Sequence, residues 1–292
     1  MKRPLVVAIV TALLCAQVAT PTFGAKPPST PVGGGDPPGD DVILLLTAEQ
    51  AASRERKEAL IARVNGGSGG EQGTQSSCPT PESTNLDMAS GMEAEVTASC
   101  YTPSQWTLAA RPRQQEKSYY CGPAVVQVVS NYSWRLTSTN KYSQTTISNT
   151  WTKTDATGQT YLADFIKGMN GASKRPSGFA YMQKSSPSFS NWHSTIVSGI
   201  YDWRMPLAAG VRPHEPGATY WIISWPVAKS AAHYIGIFGY QGFAASPNSS
   251  RKVYYTDTAG PYAAAGVNAG NFWDISYDVY QTMMMNNGNM VY

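Results

Sequence analysis

Apolar residues fall along this 292-residue chain in three regimes, each predicting a different kind of element. Leu5 to Ala16 is a nearly unbroken apolar run of 12 residues, preceded by Lys2 and Arg3 and followed by Thr22-Phe23-Gly24. That is the layout of a cleaved secretory leader, and it predicts a signal peptide over residues 1–24 and an extracellular product. At about 20 residues per bilayer crossing the run is too short to span a membrane, so no transmembrane segment is expected. Residues 25–77 are different in kind. Lys26 to Asp41 (KPPSTPVGGGDPPGDD) and Gly66 to Gly73 (GGSGGEQG) lack core-building side chains and read as linkers. Between them Thr47-Ala48-Glu49-Gln50 has capping-box spacing, with Thr47 as N-cap and Gln50 reaching back. The helix that follows is expected to place Ala51, Ala52, Ala59, Leu60 and Val64 on an apolar side and Arg54, Glu55, Lys57 and Glu58 on a polar one, ending at Asn65-Gly66. A helix between two linkers is either an intramolecular pro-segment or docking arm, or a helix packed permanently on the main domain.

The third regime is the main domain, residues 113–292, entered through a lead-in segment at 78–112. Val125, Val126, Val128, Val129 and Tyr132 recur at helical spacing after Gly122-Pro123-Ala124, which predicts a buried helix with Pro123 in its first turn. Shorter helical patterns follow at about 143–152, 160–168 and 194–203, and Met283-Met284-Met285 reads as the packed flank of a last helix. The second half turns to β-branched and aromatic runs: Ala218 to Trp225, His233 to Tyr240 and Lys252 to Asp257. Helices first and antiparallel strands afterwards predict an α+β domain.

Charge narrows the function classes. Lys+Arg number 22 against 19 Asp+Glu, and loss of Lys2 and Arg3 with the leader leaves 20 against 19. A balance so close to neutral gives no grip on nucleic acid. Three dispersed histidines and no Cys-x2-Cys or His-Glu-x2-His spacing predict neither metal nor cofactor.

Cysteine arithmetic is the first clue to chemistry. Of four cysteines, Cys15 leaves with the leader, and Cys78, Cys100 and Cys121 remain, an odd number for an oxidising compartment. A Cys78–Cys100 bridge would constrain the unfolded chain by about 3 kcal/mol and leave Cys121 as the free thiol; pairing of Cys121 with either of the others is the alternative. Cys121 stands at the start of the predicted buried helix, where the partial positive charge and free N–H groups favour a thiolate. Gly122 is expected to leave room for a substrate backbone. Gln115 brings an amide donor which, with the Cys121 N–H, would make an oxyanion hole. His233 opens a strand on the face of Ile235 and Ile237 and is the candidate base; His193 and His214 read as structural or surface residues. Asp257, ending the return strand, is the candidate acceptor for the imidazole. The aromatic residues Tyr119, Tyr120, Tyr234 and Trp273 read as core packing before cleft lining.

Gln115-x5-Cys121-Gly122-Pro123-Ala124, then His233-Tyr-Ile-Gly-Ile-Phe-Gly-Tyr240, then Thr256-Asp257-Thr258-Ala259-Gly260 together resemble the papain-like cysteine peptidases that cut double-glycine leaders from bacteriocins, in their secreted stand-alone branch. The resemblance covers roughly residues 113–285. It implies a papain-like α+β fold, Cys121 as nucleophile, His233 as general base and acid, Asp257 as the orienting carboxylate and Gln115 as oxyanion donor, acting on a peptide or protein substrate. Asp257 is followed by threonine where the family usually has proline. The competing readings are a catalytically silent binding module at the cell envelope, and an amidase or acyl transferase acting on cell-wall peptides.

Overall fold

The computed structural model describes residues 46–67, 102–154, 159–243, 250–260 and 266–292. The leader at 1–24, the linker at Lys26 to Asp41, most of the second linker and the Cys78–Cys100 pair lie outside the described residues. In chain order the elements are α1 (Ala48–Gly67), β1 (Gln105–Thr107), α2 (Cys121–Ser133), α3 (Gln144–Ile147) continuing as a π-helical turn at Ser148–Thr152, and α4 (Leu162–Ala172). Next come β2 (Gln183–Ser185), α5 (Phe189–Val197) with a second π-helical turn at Ser198–Asp202, β3 (Leu207–Val211) and β4 (His233–Gln241). The chain closes with β5 (Lys252–Asp257), β6 (Gly270–Ile275), α6 (Ser276–Met284) and β7 (Asn289–Val291). None of the described helices is long and apolar enough to cross a membrane.

Among the described residues the strands form one seven-stranded sheet ordered β2-β7-β3-β4-β5-β6, with β1 on β4. Every pairing is antiparallel, so the domain is α+β as the order of patterns predicts. Strand β4 organises the sheet. Its first half pairs with β3, from Val211 opposite His233 to Leu207 opposite Ile237, and its second half pairs with β1 instead. At Gly239 a Cβ would come within 2.9 Å of the Trp106 carbonyl oxygen, so glycine is what lets β1 close on the strand.

Helix α2 is the predicted buried helix. Its valines have poor helix propensity, and burial of Cys121 through Asn131 on all sides supplies the stability instead. Helices α2 and α4 cover the face of β4 that carries Tyr234, Gly236 and Phe238. Phe165 stacks on Tyr234 with centroids 4.1 Å apart, and Tyr132 meets Phe238 edge-on at 6.0 Å. Tyr120 and Tyr234 are therefore core residues, as read from the sequence.

Two sequence readings are corrected. Ala218 to Trp225 is not a strand but part of an irregular loop between β3 and β4. Its last four donors are taken up elsewhere: the Ile222 N–H donates to the Pro213 carbonyl, Ile223 N–H to Asp274 Oδ2, Ser224 N–H to Tyr255 Oη and Trp225 N–H to the Ile222 carbonyl, so Ile222 to Trp225 have none left for a ladder. The strand in that region is β3, whose Leu-Ala-Ala-Gly-Val is short and buried throughout, with no alternation to betray it. The second correction concerns α1. The capping box forms as expected, Thr47 N–H to Gln50 Oε1 at 3.0 Å and Gln50 N–H to Thr47 Oγ1 at 3.2 Å. The buried face, however, is Ser53, Lys57, Ile61 and Val64, while Ala51, Ala52 and Ala59 are exposed. Lys57 is drawn in because its Nζ donates to the Ala180 carbonyl at 2.7 Å and lies 4.9 Å from the ring centroids of both Trp203 and Tyr292. Burial, with Arg175 and Lys184 nearby, holds its pKa well below the ordinary lysine value. Ser53 adds a bond from the Ala180 N–H, and Glu58 accepts from Tyr292 Oη at 2.8 Å and pairs with Lys184 at 3.0 Å. The helix is docked on the main domain.

Candidate active site

Three elements bring the candidate residues together. Cys121 is the first residue of α2, a buried free cysteine. His233 is the first residue of β4 and Asp257 the last of β5. Because these strands are hydrogen-bonded neighbours, with Gly236 opposite Thr256, the hairpin carries Asp257 to the imidazole. His233 Nε2 lies 2.9 Å from Asp257 Oδ1, and the His233 side chain also shares a hydrogen bond with Cys121. With Nε2 on the carboxylate, Nδ1 is the nitrogen left for the sulfur.

Asp257 is fully buried, and four donors converge on it. Oδ1 accepts from His233 and from the Ala259 N–H at 2.8 Å, while Oδ2 accepts from Ser224 Oγ at 2.7 Å and Trp225 Nε1 at 2.9 Å. Burial alone would raise its pKa, but His233 and these bonds hold it below the usual carboxylate range. For His233 burial works the other way, against the charged ring. The Asp257 carboxylate, with a smaller contribution from Cys121, overcomes that and pushes its pKa up to about 10. The favoured resting arrangement at neutral pH is therefore an imidazolium held between a carboxylate and the sulfur.

Gln115 lies on the irregular segment ahead of α2, buried, with its N–H donating to the Thr258 carbonyl at 2.8 Å, one residue beyond Asp257. One N–H of its carboxamide donates to the Ser118 carbonyl at 2.9 Å, which leaves the second N–H for another acceptor. Its Oε1 is buried without a partner. Gln114 packs against this turn at Gly260, where φ is +56° and an added Cβ would sit 2.5 Å from Gln114 Nε2. Gly122 is corrected: the space beside it is filled by Thr160, whose Oγ1 would lie 2.6 Å from an added Cβ, so this glycine serves helix packing and not substrate approach.

The other two histidines are elsewhere. His193 is buried in α5 with its pKa lowered to about 3, chiefly by burial and also by Arg251. His214 contacts the Trp225 carbonyl through Nδ1 at 2.8 Å and stacks on Trp221 at 5.0 Å, so it props the loop that holds Asp257. That loop is what sequence reasoning missed. Ser224 and Trp225 are the carboxylate's partners, Trp225 lies 5.5 Å from the His233 ring, and nothing in a run of aromatic and β-branched residues signals the role. Among the described residues no group of three or more His, Cys, Asp or Glu side chains gathers as a metal-binding cluster would.

The model of the Peptidase_C39-like family matches residues 107–284, which holds all four candidate residues. The chain belongs to this family. As a Peptidase_C39-like protein it is a cysteine-type peptidase, and the papain-like reading of its sequence agrees with that membership. Two solved structures give partial matches. One, a recombinant stem bromelain precursor, is 11% identical with a TM-score of 0.38, covering 70% of this chain and 73% of its own. The other, proCathepsin B S9 from Trypanosoma congolense, is 8% identical with a TM-score of 0.41, covering 80% and 87%. Among curated proteins none matches the sequence.

Proposed function

We propose that this Peptidase_C39-like protein is a secreted peptidase that hydrolyses peptide bonds through Cys121, His233 and Asp257 by way of an acyl-enzyme. The observation that carries the reading is the imidazole of His233, bonded on one side to a fully buried carboxylate and on the other to a cysteine at a helix N-terminus. The Cys121 thiolate attacks the substrate carbonyl carbon, and the carbonyl π electrons move to oxygen. That oxyanion takes hydrogen bonds from the Cys121 N–H and the free N–H of the Gln115 carboxamide. As it collapses the C–N bond breaks, and the leaving amine takes the proton of the His233 imidazolium. Water then attacks the thioester, gives a proton to His233, and the acid product departs, restoring the thiolate and imidazolium. Asp257 keeps the imidazole oriented and its positive charge compensated throughout.

The apolar run Leu5 to Ala16 behind Lys2 and Arg3 supports secretion. Helix α1 fits a docked segment better than a plug. Its bonds go to Ala180, Tyr181, Lys184 and Tyr292, on the side of the domain formed by α5 and the chain's C-terminal residue. The test is hydrolysis of a mixed peptide library by the full chain, by Cys121→Ala and by His233→Ala. Cleavage by the native chain that both variants abolish supports the reading; cleavage that survives Cys121→Ala overturns it.

A further inference from the structure

The segment from Arg111 to Tyr119 has neither helix nor strand, and most of it is exposed. The Gln115 side chain is itself held by a single bond, to the Ser118 carbonyl, and its Oε1 has no partner. The location of its free N–H is therefore set by how the backbone on either side is fixed. One side chain from another element does this on both flanks. Gln144, the buried first residue of α3, accepts the Glu116 N–H on Oε1 at 2.8 Å and donates from Nε2 to the Gln114 carbonyl at 2.9 Å. Its second N–H donates to Gln127 Oε1 at 3.2 Å. Gln127 sits on α2, six residues beyond Cys121, and is fixed by donating to the Tyr142 carbonyl at 2.8 Å. Two buried carboxamides thus connect the helix that bears the sulfur to both neighbours of Gln115.

We propose that Gln144 is a positioning residue for the oxyanion site: through its paired bonds to Gln114 and Glu116, braced by Gln127, it holds the Gln115 carboxamide in register with the Cys121 N–H. The inference rests on Gln115 acting as oxyanion donor in the proposed reaction. Hydrogen bonds to a developing oxyanion depend on donors held to within about half an ångström, so a loosened backbone costs catalysis while the sulfur and imidazole stay as they are.

The test uses the full chain with Gln144→Leu, and Gln115→Ala as reference. Three quantities are compared: kcat and KM on a cleaved peptide, the affinity of a peptide aldehyde, and the rate of Cys121 alkylation by iodoacetamide. The aldehyde forms a hemithioacetal whose oxygen occupies the oxyanion site; alkylation displaces iodide and makes no oxyanion. Gln144→Leu is expected to lower kcat about 10- to 100-fold with KM within about twofold, to weaken aldehyde binding in step, and to leave alkylation within about twofold. Gln127→Leu, which removes the brace but neither loop bond, is expected to show the same signature with a smaller loss, and it carries the test should Gln144→Leu fail to fold. A kcat within about twofold of the native value, or alkylation falling in parallel with kcat, overturns the proposal and leaves the proposed function intact. A native chain that hydrolyses no peptide, with Cys121 unreactive, overturns the proposed function and this inference with it.

Discussion

Replacing Asp257 with Asn removes one charge from the centre of the site with almost no change in shape. All four groups that contact the carboxylate in the native chain donate to it: His233 Nε2, the Ala259 N–H, Ser224 Oγ and Trp225 Nε1. An amide has only one oxygen, so its NH2 must face either the His233–Ala259 pair or the Ser224–Trp225 pair. With the oxygen toward His233, the Ser224 hydroxyl can turn to accept, but the Trp225 N–H is left buried and unpaired, a cost of about 1–3 kcal/mol. The larger effect falls on His233. Its pKa of about 10 comes from the Asp257 charge overcoming burial, and the displacement from the ordinary 6.5 corresponds to a few kcal/mol in favour of imidazolium. Without the carboxylate, burial prevails and the value falls to 6.5 or below. At pH 7.5 the imidazolium fraction then drops from nearly complete to about one tenth or less, so at least a tenfold loss follows from protonation alone. The assay is the pH profile of kcat/KM beside that of Cys121 alkylation. The native alkaline limb is expected near pH 10, and in Asp257→Asn at least three units lower. A variant limb within half a unit of the native one would refute the reasoning. Stability follows the same signs. The folded His233 value lies above the unfolded one, so its contribution is complete below about pH 6.5 and is withdrawn as pH rises through about 10. Asp257, held low, contributes above the ordinary carboxylate range and loses that contribution as pH falls through its lowered value.

Trp225→Phe keeps the ring beside His233 but removes one donor from Asp257, so the acid limb of the pH profile is expected to move upward while the alkaline limb moves less. Gly260→Ala forces a Cβ against Gln114 at a φ of +56°; a loss of about 1–2 kcal/mol in urea unfolding and a fall in kcat larger than any change in KM are expected. Lys57→Ala empties the space between Trp203 and Tyr292 and strips a donor from the Ala180 carbonyl. About 2 kcal/mol of stability should be lost, with Cys121 alkylation within about twofold of native, because α1 is bonded to Ala180, Tyr181, Lys184 and Tyr292; an alkylation rate that rises tenfold would make α1 an inhibitory segment instead.

What the sequence exposes and what it hides follow from the range of the interactions concerned. The run after Gly122 has helical spacing and the run after His233 has strand character, so the positions of Cys121, His233 and Asp257 at element ends could be read locally. Thr47 and Gln50 meet within one turn and were equally legible. Ser224 and Trp225 were not, because their partner Asp257 is more than 30 residues away and the loop that carries them follows no repeat. Its charge puts Lys57 on the polar side of α1; the rings that receive it come from Trp203 and Tyr292, far along the chain. Gln144 and Gln127 have no local signature either. A buried carboxamide is recognisable only once the backbone groups it satisfies have been brought beside it: Glu116 and Gln114 lie 28 and 30 residues before Gln144, and Tyr142 lies 15 residues after Gln127.

The central claim is that His233 activates Cys121, and intact-mass measurement of the full chain after brief exposure to iodoacetamide at pH 7.5 tests it most directly. The account predicts a single adduct on Cys121, formed in the native chain and suppressed at least tenfold in both His233→Ala and Asp257→Asn. Equal labelling of Cys121 in the native chain and in His233→Ala, with both folded, would contradict it.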